Sequence, residues 1–314
     1  MDLIQQSLRT ARRGGAAALR RGRAAARRVR TAAASRGGSR GDADLRAQLD
    51  FANSEVDRLR SLVHKTRRER DRLRAENQLR ITRESTVDPL PRPMLPSGTD
   101  ELITRVRAEH LTLLSTHELD VLARLVRQAC VDRVKGLIVE AGTARGGSAI
   151  VMASVKDPGR PMKVYDVFGQ IPPPSEADGG DVQKRYQTIA KGGAKGRNGE
   201  IYYGYRDDLY GEVTDSFAHH GVPIDEHNVE LVKGLFEDTI QLDEPVAFAH
   251  LDGDWYESTL TCLERIAPLL VPGGRIVLDD YFFWSGCRTA VDEYFADRPG
   301  YQIEIRDKVH VVRL

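Results

Sequence analysis

An α/β fold with a mostly parallel sheet of seven strands, closed by one antiparallel hairpin, follows from three observations. From Gly136 onward short apolar runs alternate with amphipathic stretches, the pattern of strands joined by helices that cover both faces of a parallel sheet. Two of those runs, Val246–Leu251 and 275–278, end in acids, at Asp252-Gly253-Asp254 and at Asp279-Asp280. The last two runs, 301–306 and 309–314, are separated by a tight turn at Asp307-Lys308, which only an antiparallel pair can use.

The chain opens on an arm, 1–43, made mostly of Arg, Ala and Gly. Up to Arg40 it holds eleven arginines against one acid, although the whole chain carries only +1, so the remainder is net acidic. Too few large apolar side chains are present to offset the entropy of ordering, and disorder is expected. The charge suits an acidic partner or an anionic membrane surface. From 44 to 84 the pattern changes to heptads. Leu45, Leu49, Ala52, Val56, Leu59 and Val63 alternate spacings of four and three, the seam of a coiled-coil helix that predicts a homo-oligomer. Pro89, Pro91, Pro93 and Pro96 mark a linker at 85–100, and the catalytic domain is expected over 101–314.

Cys130, Cys262 and Cys287 stand apart from one another, which fits neither a disulfide framework nor a zinc motif. No stretch reaches the roughly 18 uninterrupted apolar residues of a membrane span. The expected home is the cytoplasm, with the arm placing the chain peripheral to the inner membrane face.

Within the domain, a helix is expected over 102–114. A second begins at Ser115, whose capping box is completed by Glu118, and runs to Val134. A strand at 136–140 leads into a Gly-rich turn and a helix. A strand at 162–167 is followed by a polar insertion, 171–200, with three consecutive prolines, the kind of segment that forms lids and binding loops. A helix at 207–221 and a strand at Val229–Lys233 come next. Pro272-Gly273-Gly274 is expected to stop the helix between the two acid-tipped strands, and a final helix at 287–298 precedes the hairpin.

In an open parallel sheet ligands gather outside the carboxyl ends of the strands, so Asp252, Asp279 and Asp280 are expected to converge. Such hard oxygen donors suit Mg²⁺ or Ca²⁺ better than zinc, the alternative being that Asp279 and Asp280 merely cap a turn. The turn Glu140-Ala141-Gly142-Thr143-Ala144-Arg145-Gly146-Gly147-Ser148 lies where a nucleotide-like cofactor is held, between the first strand and its helix. It is neither G-x-G-x-x-G nor a phosphate loop ending in Gly-Lys-Ser/Thr. An acid such as Glu140 is a poor neighbour for pyrophosphate but suits a positive amino group, and Asp166 is placed to accept from ribose hydroxyls. The set fits S-adenosylmethionine better than NAD. Asp252 and Asp254 are candidate proton acceptors, with capping of the helix near Tyr256 as the alternative for Asp254, and His250 and His310 are reserve bases.

These segments resemble the macrocin O-methyltransferase group of class I methyltransferases. The matching stretches are VEAGTARGGS, the Asp166-Val-Phe-Gly-Gln-Ile-Pro-Pro-Pro run, KGLFEDT at 233–239, LDGDWYEST at 251–259, PGGRIVLDDY at 272–281, and the run from Gly286 to Asp292. They cover the chain from about 101 to its end. The resemblance implies a Rossmann-like fold and methyl transfer to a sugar hydroxyl of a glycan or glycosylated natural product. It also implies Mg²⁺ at Asp252, Asp279 and Asp280. Cofactor contacts are implied from Glu140, Gly142, Asp166 and the 234–238 turn with Gly234 and Phe236. Thr143, Gly146 and Ser148 of the Gly-rich turn, and Asp252, complete that set. The sequence departs from the family pattern at Trp255 and in a longer insertion, 178–198, both where an acceptor would be recognised. Two other readings remain open: an RNA methyltransferase guided by the arm, disfavoured because the domain is acidic and its crevice lacks interleaved aromatic and basic residues, and a coiled-coil scaffold without activity.

Overall fold

The structure is a computed structural model that describes residues 89–314. These belong to the unit Val87–Leu314. The basic arm, the heptad segment and the first four residues of the linker lie outside the described residues.

Helices α1 (Thr99–Ala108) and α2 (Thr116–Val131) precede the sheet. The capping box is where the sequence places it. The Ser115 hydroxyl accepts from the N–H of Glu118 at 3.2 Å, and the Glu118 carboxylate accepts from the N–H of Ser115 at 2.6 Å. Helix α1 stops short of 114 because His110 takes a left-handed φ of 54°, which turns Leu111 and Leu114 into the core. Then follow β1 (Leu137–Ala141), α3 (Gly147–Val155), β2 (Met162–Asp166), α4 (Gly180–Ala190), α5 (Leu209–His219), β3 (Val229–Lys233) and the single turn α6 (Phe236–Thr239). The chain continues through β4 (Val246–Leu251), α7 (Tyr256–Ile266), β5 (Leu270–Leu278), α8 (Ser285–Tyr294), β6 (Tyr301–Ile305) and β7 (Val309–Arg313).

The seven strands order as β3-β2-β1-β4-β5-β7-β6, parallel except for β7, which runs antiparallel to both β5 and β6. Side chains alternate between two cores. Ile138, Val164, Phe248 and Val277 pack under α1, α2, α3 and α5, while Val139, Ala249, Ile276 and Leu278 pack under α7 and α8. Two expectations change. The insertion carries a helix, α4, rather than loop alone. Strand β5 begins at Leu270, so Pro272-Gly273-Gly274 lies within it: Val246 pairs with Leu270 and Phe248 with Arg275, and the exposed Pro272 and Gly273 bulge out of the ladder. Cys130, Cys262 and Cys287 are buried free thiols. No helix among the described residues is long and apolar enough to cross a membrane.

His310, a reserve base on sequence grounds, is a structural residue. It is buried on β7 between Val277 of β5 and Glu304 of β6, and its Nδ1 stands 3.0 Å from the Arg275 guanidinium, which must donate to it. Burial first, then the charges of Arg275 and Arg306, push its pKa down to about 3, against Glu304. An unfolded histidine titrates near 6.5, so below that point acid protonates the unfolded chain first and stability falls until about pH 3. The loss by pH 5 is about 2 kcal/mol, at about 1.4 kcal/mol per pH unit. The variant His310→Gln keeps an acceptor for Arg275 and cannot ionise. Its denaturation midpoint, followed from neutral pH to about pH 5, should fall less steeply than that of the wild type by about that amount.

Candidate active site

From β1 the chain crosses to β2 and β3 on one side, and from β3 it returns to β4 on the other, so a crevice opens between the carboxyl ends of β1 and β4. The backbone closes tightly there. Asp252 N–H donates to the Ala141 carbonyl and Gly142 N–H to that of Tyr165, each at 2.8 Å. Gly142 has φ 87°, and a Cβ on it would lie 1.9 Å from the Asp252 carbonyl oxygen, so only glycine fits.

The cleft is lined by Gly142, Asp166, Gly234, Phe236, Asp252 and Asp254, together with Tyr203 from the segment just after the insertion. The remaining expected cofactor residues lie behind it. Asp166 gathers the turn: its Oδ2 accepts from the N–H of Thr143 at 2.8 Å and of Ala144 at 3.0 Å, and its Oδ1 from the N–H of Phe168 at 2.7 Å. Three of its roughly four acceptor positions are thus spent on the backbone. Gly146, in the left-handed region, precedes α3, and Ser148 is buried in the first turn of that helix. Glu140, expected to meet the cofactor's amino group, is turned beneath the loop. It accepts from the Thr143 hydroxyl at 2.8 Å and faces His250 Nδ1 at 3.1 Å.

The carboxylates of Asp252, Asp254 and Asp280 form one cluster, with a ligand oxygen from each within 4.8 Å of the others. Asp252 and Asp254 are half-buried and Asp280 is buried. Burial, then the charge of Asp280, raises the pKa of both Asp252 and Asp254 well above the usual carboxylate range. Burial and the charge of Asp279 push Asp280 up to about 6. Uncompensated negative charge of this kind fits a hard divalent cation held by three oxygen donors. Asp279, expected on sequence grounds to hold the metal with Asp252 and Asp280, has its carboxylate outside this cluster.

The reason is the two-residue period of a strand. Asp279 extends the ladder of β5 by donating its N–H to the Leu251 carbonyl at 2.9 Å, and its side chain falls on the same face as Val277, toward His250. Asp280, one residue on, falls on the other. Asp279 Oδ1 lies 2.7 Å from Lys308 Nζ and 3.8 Å from His250 Nε2. Burial would raise its pKa, but His250 and Lys308 hold it below the usual value. Lys308 also reaches Glu118 at 3.1 Å. A buried chain of alternating charge thus runs from Glu140 through His250, Asp279 and Lys308 to Glu118. His250, with Nδ1 toward Glu140 and Nε2 toward Asp279, is part of that chain and does not line the cleft.

Asp254 does not cap α7. Its N–H donates to Asp280 Oδ2 at 2.8 Å, and the Tyr256 N–H that it would cap on the alternative reading goes to Asp178 Oδ1 at 2.8 Å. Neither the contact of Asp178 with Tyr256 nor that of Lys308 with Asp279 carries a local signal in the sequence, since each is made only through the tertiary fold.

Replacing Lys308 by Met removes the cation shared by Asp279 and Glu118 in a largely buried setting. A loss of about 3–5 kcal/mol in unfolding free energy is expected from urea denaturation, the usual result of removing one partner of a buried pair.

The sequence and fold have known relatives. Residues 105–304 match the family model described as macrocin-O-methyltransferase (TylF). The 8-demethyl-8-(2,3-dimethoxy-alpha-L-rhamnosyl)-tetracenomycin-C 4'-O-methyltransferase of Streptomyces olivaceus is 33% identical over 189 residues, which are 58% of this chain and 67% of that protein. The demethyldecarbamoylnovobiocin O-methyltransferase of Streptomyces niveus is 31% identical over 193 residues, 59% of this chain and 68% of that one. Among solved structures, the O-methyltransferase NovP superposes with a TM-score of 0.55 at 27% identity, over 68% of this chain and 88% of its own. With the family model covering most of the catalytic domain and the class I sheet order in place, the chain belongs to the macrocin-O-methyltransferase (TylF) family and is an O-methyltransferase.

Proposed function

We propose that the protein transfers a methyl group from S-adenosylmethionine to a sugar hydroxyl of a glycosylated natural product, with Mg²⁺ held by Asp252, Asp254 and Asp280. The carboxylate cluster at the lip of the cleft carries this reading. A sugar hydroxyl is a weak acid, and an enzyme that methylates one needs a device for activating it beside the methyl donor. The names of the two Streptomyces relatives support the substrate class, one being a rhamnosyl 4'-O-methyltransferase and the other acting on a novobiocin precursor.

The turn 142–146, fastened by Asp166 and crossed closely by the Asp252 backbone, gives the cofactor its floor, and Gly234 and Phe236 give it one wall. Bound Mg²⁺ supplies Lewis acidity that orients the acceptor and lowers the pKa of its hydroxyl. Asp254 and Asp280 hold the cation side of the cluster, linked by the hydrogen bond from Asp254 N–H to the Asp280 carboxylate. Asp252 stands nearest the cofactor turn, through its backbone contact with Ala141, and its carboxylate takes the acceptor's proton. Trp255 and Tyr203 shield the site from water on the side of the insertion, the first only 2% exposed and bound through its indole N–H to the Pro172 carbonyl at 3.0 Å.

Titration calorimetry with Mg²⁺ and turnover on a rhamnose-bearing acceptor, read as a mass gain of one methyl, test this assignment. Asp254→Asn and Asp280→Asn should each lose metal binding and turnover, whereas Asp279→Asn should keep metal affinity within about tenfold and lose stability instead. Equal loss of metal binding in Asp279→Asn and Asp254→Asn would restore Asp279 to the metal set, and turnover unaffected by EDTA would remove the metal altogether. In the cofactor site, Asp166→Ala should weaken S-adenosylmethionine binding by about 1–3 kcal/mol through collapse of the turn.

A further inference from the structure

Away from the cleft, two helix ends bring a second set of metal-ligating side chains together. Glu109 closes α1, His219 is the last residue of α5, and His220 closes that helix. The Glu109 carboxylate faces both histidines: Oε2 lies 3.5 Å from His220 Nε2, and Oε1 lies 4.0 Å from His219 Nε2. The two imidazole rings stand at 79° to each other with centroids 5.1 Å apart. Arg145 of the Gly-rich turn also approaches, but it donates to the backbone carbonyls of Glu109 and His110, at 3.2 and 3.3 Å. Among the described residues the Glu109 carboxylate pairs with the two histidines alone.

His220 decides what this arrangement can hold. Its side chain is only 1% exposed, and its Nδ1 lies 2.8 Å from the Ser216 carbonyl, to which it must donate. In a neutral imidazole the other nitrogen, Nε2, then carries a lone pair and no proton. That lone pair has no hydrogen-bond partner among the described residues, and it is aimed at a carboxylate, which also only accepts. Two acceptors face to face call for a positive centre between them. A histidine that donates one ring N–H to a backbone carbonyl and turns its bare nitrogen outward is also the arrangement that orients imidazole toward a metal.

The spacing fits the same reading. Ligand atoms about 2.0–2.2 Å from a tetrahedral ion lie about 3.4 Å from one another. The 3.5 Å between His220 and Glu109 is already that of such a pair, and His219, whose side chain is 70% exposed, is free to turn inward from 4.0 Å. Both helices end here, and a helix carboxyl end favours positive charge.

We propose that Glu109, His219 and His220 bind a borderline divalent cation of the zinc class, which staples the end of α1 to the end of α5. Two imidazole nitrogens and one carboxylate oxygen suit zinc, whereas the all-oxygen cluster in the cleft suits a hard ion, so the two places select different metals. The role of the staple is structural. Ile103 and Val106 of α1 already pack in one core with Val213 and Phe217 of α5, and the ion closes the solvent end of that contact. The site shares no residue with the cleft and stands whether or not the methyl-transfer reading does.

Calorimetry with Zn²⁺ on the full chain, in millimolar Mg²⁺ to occupy hard-ion sites, tests the assignment in wild type, His219→Ala, Glu109→Gln and the control His117→Ala. His219 and Glu109 lie at the surface, so their replacement spares the fold in a way that replacing the buried His220 would not. Each should weaken Zn²⁺ by about tenfold or more, since losing even an outer partner of a metal site costs about that much. His117, an exposed histidine paired with Asp307, should be replaceable with Zn²⁺ affinity kept within about twofold. Thermal unfolding gives a second readout. In EDTA, Glu109→Gln should melt no lower than wild type, because its amide N–H can donate to His220 Nε2. With Zn²⁺ about a hundredfold above its dissociation constant, wild type should gain about 5–10 °C and Glu109→Gln should not. Wild-type unfolding unmoved by Zn²⁺, or Zn²⁺ affinity within about twofold of wild type in both His219→Ala and Glu109→Gln, overturns the proposal. Should His220 instead be an imidazolium paired with Glu109, Glu109→Gln would melt below wild type in EDTA while wild type ignored Zn²⁺, and the staple would be refuted.

Discussion

Three carboxylates held with an oxygen from each within 4.8 Å of the others repel, and the architecture around the cleft is arranged to keep them there. Asp252, Asp254 and Asp280 come from two strand ends that the sheet order makes neighbours. Their raised pKa values report the strain of that arrangement, since burial and like charge both favour the neutral acid. A cation at the proposed metal site would relieve it. The same crowding is what the proposed metal site would use to attract a divalent ion, a common relation between stability and function.

The fourth acid, Asp279, is kept out of the cluster by partners of its own. Lys308 enters from the turn between β6 and β7 and His250 from the middle of the sheet, and together they neutralise it. The terminal hairpin is thus more than an edge to the sheet. It delivers the cation that separates one aspartate of an adjacent pair from the other, and through Glu118 it ties that point to the capping box of α2.

Most of the sheet was legible from the amino-acid sequence, because strands of a parallel sheet are apolar on both faces and read as uninterrupted runs bounded by turns. The capping box of α2 and the turn at Asp307-Lys308 were legible for the same local reason. Helix α4 was not, since a segment rich in Gly, Lys and Gln has little intrinsic pattern and is ordered by its contacts with α7 and α8. Gly142, Asp166, Gly234, Phe236, Asp252 and Asp254, singled out in the sequence, line one cleft. Glu140 and Asp279 were placed at the right strand ends, yet their side chains point into the sheet face that carries His250.

The sequence by itself determined that acids and a Gly-rich turn would stand at the carboxyl ends of adjacent strands, because strand period, helix pattern and turn residues are local properties that survive without knowledge of the rest of the chain. Only the tertiary structure decided which oxygen faces which neighbour. That choice depends on strand parity at Asp279 and Asp280, on a lysine reaching in from the final hairpin, and on helix caps supplied by Asp178 and Asp181 from far along the chain. Such partners are set by packing across the fold, and no spacing within the sequence encodes them.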